Sequence, residues 1–239
     1  MTPLMDFFFP PRCLLCGDSK ALLPNCHLCE ACASDLKPNL QACACCGIPL
    51  HRQPQTNAKI ICGQCLKSPP YFDRSWSAFI YAQPLEWMIQ QLKFNAKLAY
   101  ASLLSELMIR YFPAELLASA RPDAVIPMPL HYRRLKQRGF NQSVHLARPV
   151  AQSLRLPLDT TSCIRIRDTE HQTGKNARQR NKNIKGAFEF QNTRKYQHLI
   201  IFDDVVTTGS SVSELSRTLK RSGVKRVEVW SLARAEKIN

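Results

Sequence analysis

The sequence predicts an α/β protein, a parallel sheet flanked by helices, preceded by a small cysteine-rich module. Three observations carry that prediction. Over residues 71–239, apolar stretches of strand length alternate with stretches of helical periodicity. One strand, Leu199-Ile200-Ile201-Phe202, is a run of four apolar residues, the pattern of a strand buried on both faces. Ten of the 11 cysteines crowd into residues 13–65.

Those cysteines form the pairs Cys13-x-x-Cys16, Cys29-x-x-Cys32, Cys43-x-x-Cys46 and Cys62-x-x-Cys65. A two-residue spacer lets both sulfurs of a pair enter one tetrahedron, with nearby backbone N–H groups bonding the thiolates. Two such knuckles complete the four-sulfur site that zinc prefers. Gly17, Gly47 and Gly63 fall just after or inside three of the knuckles, where a tight turn benefits from glycine. The expectation is two structural zinc ions, the first two knuckles sharing one and the last two the other. A cross-braced pairing is also open, as is a redox or disulfide array. Cys26 offers a competing Cys26-x-x-Cys29 knuckle, and Cys45 lies inside another pair. With few apolar runs in these 70 residues, zinc is expected to supply much of the module's folding free energy, on the order of 10 kcal/mol per site. With every coordination position filled by protein, such sites are structural.

The module is assigned residues 1–70 and the α/β domain residues 71–239, with Ser68-Pro69-Pro70 before the boundary. Residues 75–82 read as a strand. From Pro84, Leu85, Met88, Ile89 and Leu92, then Leu103, Leu104, Leu107 and Met108, recur at helical spacing up to Pro113. Residues 123–128 form a short apolar strand, 142–154 a helix, and 186–190 and 198–202 two further strands. A helix over 210–222 ends at Gly223, and 226–232 closes as the last strand. In such a sheet the ligand sits at the carboxyl ends of the strands.

The most informative stretch follows the 199–202 strand. Asp203 and Asp204 emerge there, where carboxylates can hold the hydroxyls of a sugar. Thr207, Thr208, Gly209, Ser210 and Ser211 then form a turn that opens a helix. Backbone N–H groups, hydroxyls and the helix dipole at such a turn suit a phosphate, and Gly209 lets the backbone come close to it.

At these residues the sequence resembles the type I phosphoribosyltransferases, whose signature for phosphoribosyl pyrophosphate (PRPP) is four apolar residues, two acids and a Thr-Thr-Gly loop. The resemblance implies a fold of that type. It also implies that Asp203 and Asp204 bind the ribose 2′- and 3′-hydroxyls and are the catalytic pair, and that Thr207 to Ser211 cradle the 5′-phosphate. Magnesium would accompany PRPP, held largely by the ligand's own oxygens.

Further segments narrow the likeness. Val125-Ile126-Pro127-Met128-Pro129-Leu130, Arg138-Gly139-Phe140-Asn141-Gln142, Arg167-Asp168-Thr169-x-x-Gln172, Arg180-Asn181 and Asn183-Ile184-Lys185-Gly186-Ala187-Phe188 resemble the competence protein ComF family. With the cysteine knuckles, that resemblance covers nearly the whole chain. It implies that the loop after Ile126 takes the pyrophosphate position, with His131, Arg133, Arg134, Lys136 and Arg138 supplying positive charge. Gly139, Asn141, Gln142 and Arg180 would complete loops that meet pyrophosphate or DNA. Residues 165–185 would form a hood over the site, carrying seven basic residues against two acidic. A leucine often seen after the glutamine is missing, since Thr173-Gly174-Lys175-Asn176 is polar, so the hood would pack differently.

Charge fits anionic partners. Residues 1–74 carry 7 Lys/Arg against 5 Asp/Glu, and the remainder 26 against 13, so nearly all of the formal +15 rides on the second domain. No apolar run approaches the roughly 18 residues of a membrane span, and Phe7-Phe8-Phe9 is too short for a signal-peptide core, so a cytoplasmic protein is expected. The family resemblance implies natural transformation: uptake and processing of incoming single-stranded DNA at the inner face of the cytoplasmic membrane, with other competence proteins as partners. Exposed Tyr132 or Phe140 could stack on bases. The competing expectation is an active phosphoribosyltransferase, in which the acids stabilise an oxocarbenium-like ribose while pyrophosphate leaves. No feature of the sequence identifies the acceptor. A zinc-ribbon nucleic-acid module with a vestigial pocket is disfavoured by the intact acid pair and turn.

Overall fold

The computed structural model describes residues 10–50, 60–118, 121–168 and 184–236. Four parallel strands form its sheet: β1 (Arg74–Ile80), β2 (Ala124–Pro127), β5 (His198–Val206) and β6 (Arg226–Arg234), in the order β1-β6-β5-β2. Strand alternation sorts the side chains of β5. Ile200 and Phe202 pack on one face with Trp230, Leu232 and Val125; Leu199 and Ile201 pack on the other with Val227, Val229, Ala124 and Ile126. The first face is covered by helices α3 (Leu85–Asn95), α4 (Ala99–Arg110) and α7 (Gln142–Ser153), the second by α8 (Ser210–Arg221). Continuous apolar runs are what a sheet covered on both faces requires.

Both edges of the sheet are occupied. Along β1, Ile80 N–H donates to the Lys37 carbonyl (2.8 Å) and Asn39 N–H to the Ala78 carbonyl (3.0 Å), so the cysteine module continues the ladder. Along β2, Val125 N–H donates to the Pro157 carbonyl (2.8 Å), and the Val125 carbonyl accepts from Asp159 N–H (2.9 Å). Such cover removes the unpaired strand edges that invite association.

The structure departs from the sequence expectations at four places. The helical run from Pro84 to Pro113 is two helices, broken where Ala96 adopts a left-handed conformation (φ 50°) after Asn95. The basic stretch after β2, expected as a loop, is a short helix, α6 (Tyr132–Arg138); α5 (Glu115–Ala118) precedes β2. The strand expected at 186–190 is β4 (Phe188–Phe190), which pairs antiparallel with β3 (Cys163–Arg165) as a separate two-stranded sheet against α8. Finally β5 runs on to Val206, so the two acids lie within the strand and Asp203 stands opposite Ser231 of β6.

The cysteine module holds the short helices α1 (Glu30–Ser34) and α2 (Gly63–Lys67). It is not short of a core, because it shares one. Leu28 and Leu36 are buried among the residues of α3 and α4, while Tyr100 Oη donates to the Leu14 carbonyl (2.8 Å) and Arg110 Nη2 to that of Pro24 (2.8 Å).

Asp159, buried after β2's partner segment, ties the approach to β3. It accepts from Thr161 N (3.0 Å), Ser162 N (3.0 Å), Ser162 Oγ (2.6 Å) and Tyr196 Oη (3.0 Å). Burial alone would raise its pKa, but these donors outweigh it and hold the carboxyl below its ordinary range. Its contribution is therefore present above the unfolded-state pKa of about 3.9 and lost as pH falls below it. Asp159→Ala is expected to cost roughly 3 kcal/mol at neutral pH, read from the urea midpoint, with a smaller difference in acid.

Candidate functional site

The carboxyl end of β5 carries the candidate site. The same alternation that turns Ile200 and Phe202 towards α3 and α7 turns Asp204 there too, where its Oδ2 pairs with Lys93 Nζ of α3. Gln142, the first residue of α7, lies beside Asp204 and helps hold its carboxyl low. Asp203 Oδ1 accepts from Ser143 Oγ (3.2 Å) and from the Asp204 N–H (3.0 Å). Asn141 caps α7 by accepting from Ser143 N–H (2.9 Å), and its amide donates to the Met128 carbonyl (3.0 Å) just past β2. An Asn at this position satisfies an orphan helix donor and fixes the turn. Arg138 Nη1 donates to Gln142 Oε1 (2.6 Å), with its guanidinium 5.7 Å from the centre of the Phe94 ring. Gly139 takes the left-handed conformation (φ 81°) that ends α6 and turns the chain back into the site.

The two acids differ electrostatically. Burial, then the neighbouring Asp204, push Asp203 well above the usual carboxyl range. Burial acts on Asp204 as well, but the Lys93 ammonium and the donors around it prevail and hold it low. As pH falls, Asp203 is therefore the first of the pair to take up a proton.

The turn after β5 is open. Thr207 and Thr208 are exposed, and Gly209, Ser210 and Ser211 are half-buried. Gly209 has φ 78°, which favours glycine, and a Cβ there would meet only Val206 Cγ1 at 4.0 Å. Thr208 Oγ1 lies 2.8 Å from Ser210 Oγ and accepts from Ser210 N–H (3.3 Å). The three-turn helix α8 starts there, so its positive dipole end faces the opening.

Sulfur geometry in the cysteine module gives two separate clusters. Cys13, Cys16, Cys29 and Cys32 form one, and Cys43, Cys46, Cys62 and Cys65 the other, the sulfurs of each lying within 4.8 Å of one another. Zn–S bonds of about 2.3 Å in a tetrahedron place sulfurs about 3.8 Å apart. Cys16 and Cys29 are 3.7 Å apart and Cys46 and Cys62 3.8 Å, so the residues fit two structural zinc ions. Backbone N–H groups face the sulfurs: Cys32 N donates to Cys29 Sγ (3.4 Å) and Cys62 N to Cys43 Sγ (3.2 Å). Against burial, such donors lower the thiol of Cys13 to about 6 and that of Cys43 to about 7, so each cluster holds one thiol that readily gives the thiolate a metal needs, while burial and neighbouring sulfurs raise Cys46 to about 11 and push up Cys32 and Cys65. Cys26 and Cys45 lie outside both clusters. Burial pushes the Cys26 thiol up to about 11 and raises that of Cys45.

Comparison with known proteins places the chain. Residues 4–66 match the Double zinc ribbon domain family. The DNA utilization protein YhgH of Escherichia coli O157:H7 is 37% identical over 94% of this chain and 97% of that protein. Competence protein F of Haemophilus influenzae is 33% identical over 95% of this chain and 99% of that protein. The chain belongs to the family of these two proteins. A solved chain titled as Leishmania donovani UMP synthase matches 59% of this chain and 22% of that one at 16% identity, with a TM-score of 0.29, too slight a likeness to bear on fold or function.

Within this family member, the fold brings together motifs that lie far apart in sequence: Asp203 and Asp204, Arg138 to Gln142, and the 207–211 turn. Arg133 is exposed, its Nε donating to Tyr132 Oη (3.3 Å) and its Nη1 4.0 Å from Asp168; Arg134 is half-buried. His131 Nδ1 lies 3.6 Å from the same Asp168 carboxylate. Phe140 is anchored on the helical core with its ring against His145 (5.4 Å), so only Tyr132 of the two aromatics is exposed. Arg180 and residues 169–183 of the expected hood lie outside the described residues. Sequence reasoning missed Lys93 and Ser143. Lys93 follows the buried Leu92 in an amphipathic helix, where a lysine normally marks the wet face.

Proposed function

We propose that this protein binds PRPP or a related phosphorylated ribose at the end of β5 and acts on incoming single-stranded DNA in natural transformation. The observation that carries the first half is the meeting of an acid pair with a hydroxyl-rich turn at one strand end. Asp203 and Asp204 would take the ribose hydroxyls, and Thr207, Thr208, Gly209, Ser210 and Ser211 the 5′-phosphate. A diol bound to these acids would replace the hydrogen bond of Ser143 and compete with Lys93 for Asp204. Arg138, hydrogen-bonded to Gln142, would meet the pyrophosphate. The donor set fits magnesium only as a partner of the ligand, because two carboxylates, one already paired with Lys93, are too few for a protein cage. Bound with PRPP, magnesium would neutralise charge on the pyrophosphate.

The second half is supported by the relatives' names, which refer to DNA utilization and competence. The excess of Lys and Arg in residues 75–239, with exposed Tyr132, Arg133 and Lys136 on α6, suits a nucleic-acid backbone. Affinity for single-stranded DNA is expected to fall steeply with salt. Arg133→Ala/Arg134→Ala should flatten the slope of log K against log salt by about 0.7 for each phosphate no longer neutralised, measured by fluorescence anisotropy. A salt-insensitive affinity would contradict electrostatic binding. An active phosphoribosyltransferase is the second reading, favoured by the contrast between Asp203, raised by burial and by Asp204, and Asp204, held low by Lys93. Incubation with labelled PRPP and a panel of bases, nucleotides and single-stranded DNA separates the two. Released pyrophosphate means turnover, binding without release means a binding module, and neither binding nor release refutes the PRPP site.

A further inference from the structure

Arg234 ends β6 and is 4% exposed, a buried cation at the same end of the sheet as the acid pair. It stands beside Ile80 of β1 and Val206 of β5 in the ladder. Its Nη1 donates to the carbonyls of Val206 (3.0 Å), Thr207 and Ala235 (3.1 Å). Its Nε reaches the other way, to the carbonyl of Cys46 (3.1 Å). One guanidinium thus holds the first residues of the turn expected to take phosphate and a knuckle of the second cysteine cluster. Neighbouring contacts strengthen that junction. Asn39 Nδ2 donates to the Gly47 carbonyl (2.9 Å), and a Cβ at Gly47 would press on Ser75 Oγ at 3.2 Å, so the knuckle abuts the start of β1.

Two physical facts make this more than packing. A zinc ion held by four thiolates carries a net charge of about −2, so metal loading of this cluster places negative charge next to a buried cation. The rigid, forked donor set of arginine can grip carbonyls on both sides at once, which a lysine ammonium cannot do in the same geometry. The first cluster has a different neighbourhood. It packs on α3 and α4 through Leu28, Tyr100 and Arg110.

We propose that Arg234 is a positioning residue through which metal in the second cluster, but not the first, sets the shape of the turn over residues 207–209. Metal loading of Cys43, Cys46, Cys62 and Cys65 fixes the Cys46 carbonyl. That carbonyl fixes the guanidinium, and the guanidinium fixes the Val206 and Thr207 carbonyls, aiming the turn at its phosphate. As a statement about ligand affinity this rests on the PRPP reading above; as a statement about the turn it does not.

Hydrogen–deuterium exchange on the full chain tests it, with the amides of 199–202 in β5 as an internal reference for global folding and metal content measured on every sample. Cys62→Ser, which strips the second cluster, should speed exchange over 206–211 about tenfold relative to that reference, and Cys16→Ser, which strips the first, should not. Arg234→Lys and Arg234→Met should keep two zinc ions per chain yet show the same local loosening. Combining Arg234→Met with Cys62→Ser should add nothing, a non-additivity that a merely structural arginine would not give. Magnesium PRPP affinity, measured alongside by calorimetry, should fall about tenfold in the same variants. An unchanged turn in Arg234→Met, or equal loosening by Cys16→Ser and Cys62→Ser, overturns the proposal. Loosening of the turn in a protein that never bound PRPP would instead sink the PRPP reading and leave the clamp standing.

Discussion

Replacing Asp203 and Asp204 together by Asn is expected to abolish the rise in melting temperature that magnesium PRPP gives the parent protein. At a ligand concentration near 100 times Kd, binding stabilises by about 2.7 kcal/mol, which for a chain of this size raises Tm by roughly 5–10 °C. The acids should account for most of that, because a buried diol left facing amides loses charge-assisted hydrogen bonds. The double variant should still fold. Asp203 is held above the usual carboxyl range by burial and by Asp204, so an amide there relieves repulsion. Asp204→Asn does strand Lys93, which is partly solvated and can turn to water. Ribose 5-phosphate should compete with PRPP, and 2-deoxyribose 5-phosphate should do so at least about tenfold less well, since one of the two hydroxyls is gone. A full thermal shift surviving in the double variant would place the ligand elsewhere.

Removing zinc is expected to have the largest effect on stability. Metal analysis should return about two zinc ions per chain, and stripping them should cost on the order of 10 kcal/mol per site in the module's folding free energy. The loss should spread beyond residues 13–65. Leu28 and Leu36 belong to the core of α3 and α4, and the Lys37 and Asn39 backbone caps the edge of β1. Melting followed by tryptophan fluorescence should therefore move with chelation, because Trp76 and Trp230 report on the sheet and its aromatic cover. A metal content near zero in folded protein would remove the zinc reading altogether.

Much of this was legible in the residues, for physical reasons that can be named. Leu199 to Phe202 announces a doubly covered strand because no half-exposed strand tolerates four apolar residues in succession, and the acids that follow are costly enough to need a purpose. The C-x-x-C spacing marks four knuckles but leaves their pairing open, and the structure groups them in sequential order, with Cys26 and Cys45 outside. Signals failed where local pattern underdetermines packing. The break at Ala96 hides behind Leu98 and Ala99, which keep helical spacing intact across it. Helix α6 is mostly charged and offers only Tyr132 and Leu135 at helical spacing, so it read as a loop. β3 is three residues long and exists because Phe188 to Phe190 lie opposite it. Lys93 and Arg234 come from elements remote in sequence from the acids and the turn, and their roles emerge only when the sheet order β1-β6-β5-β2 is known.

The most direct measurement is a calorimetric titration of the zinc-loaded protein with magnesium PRPP, run beside the Asp203→Asn/Asp204→Asn variant. Expected is saturable binding of one ligand per chain in the parent and none in the variant. No heat in the parent, or the same isotherm in both, would contradict a sugar-phosphate site at the end of β5.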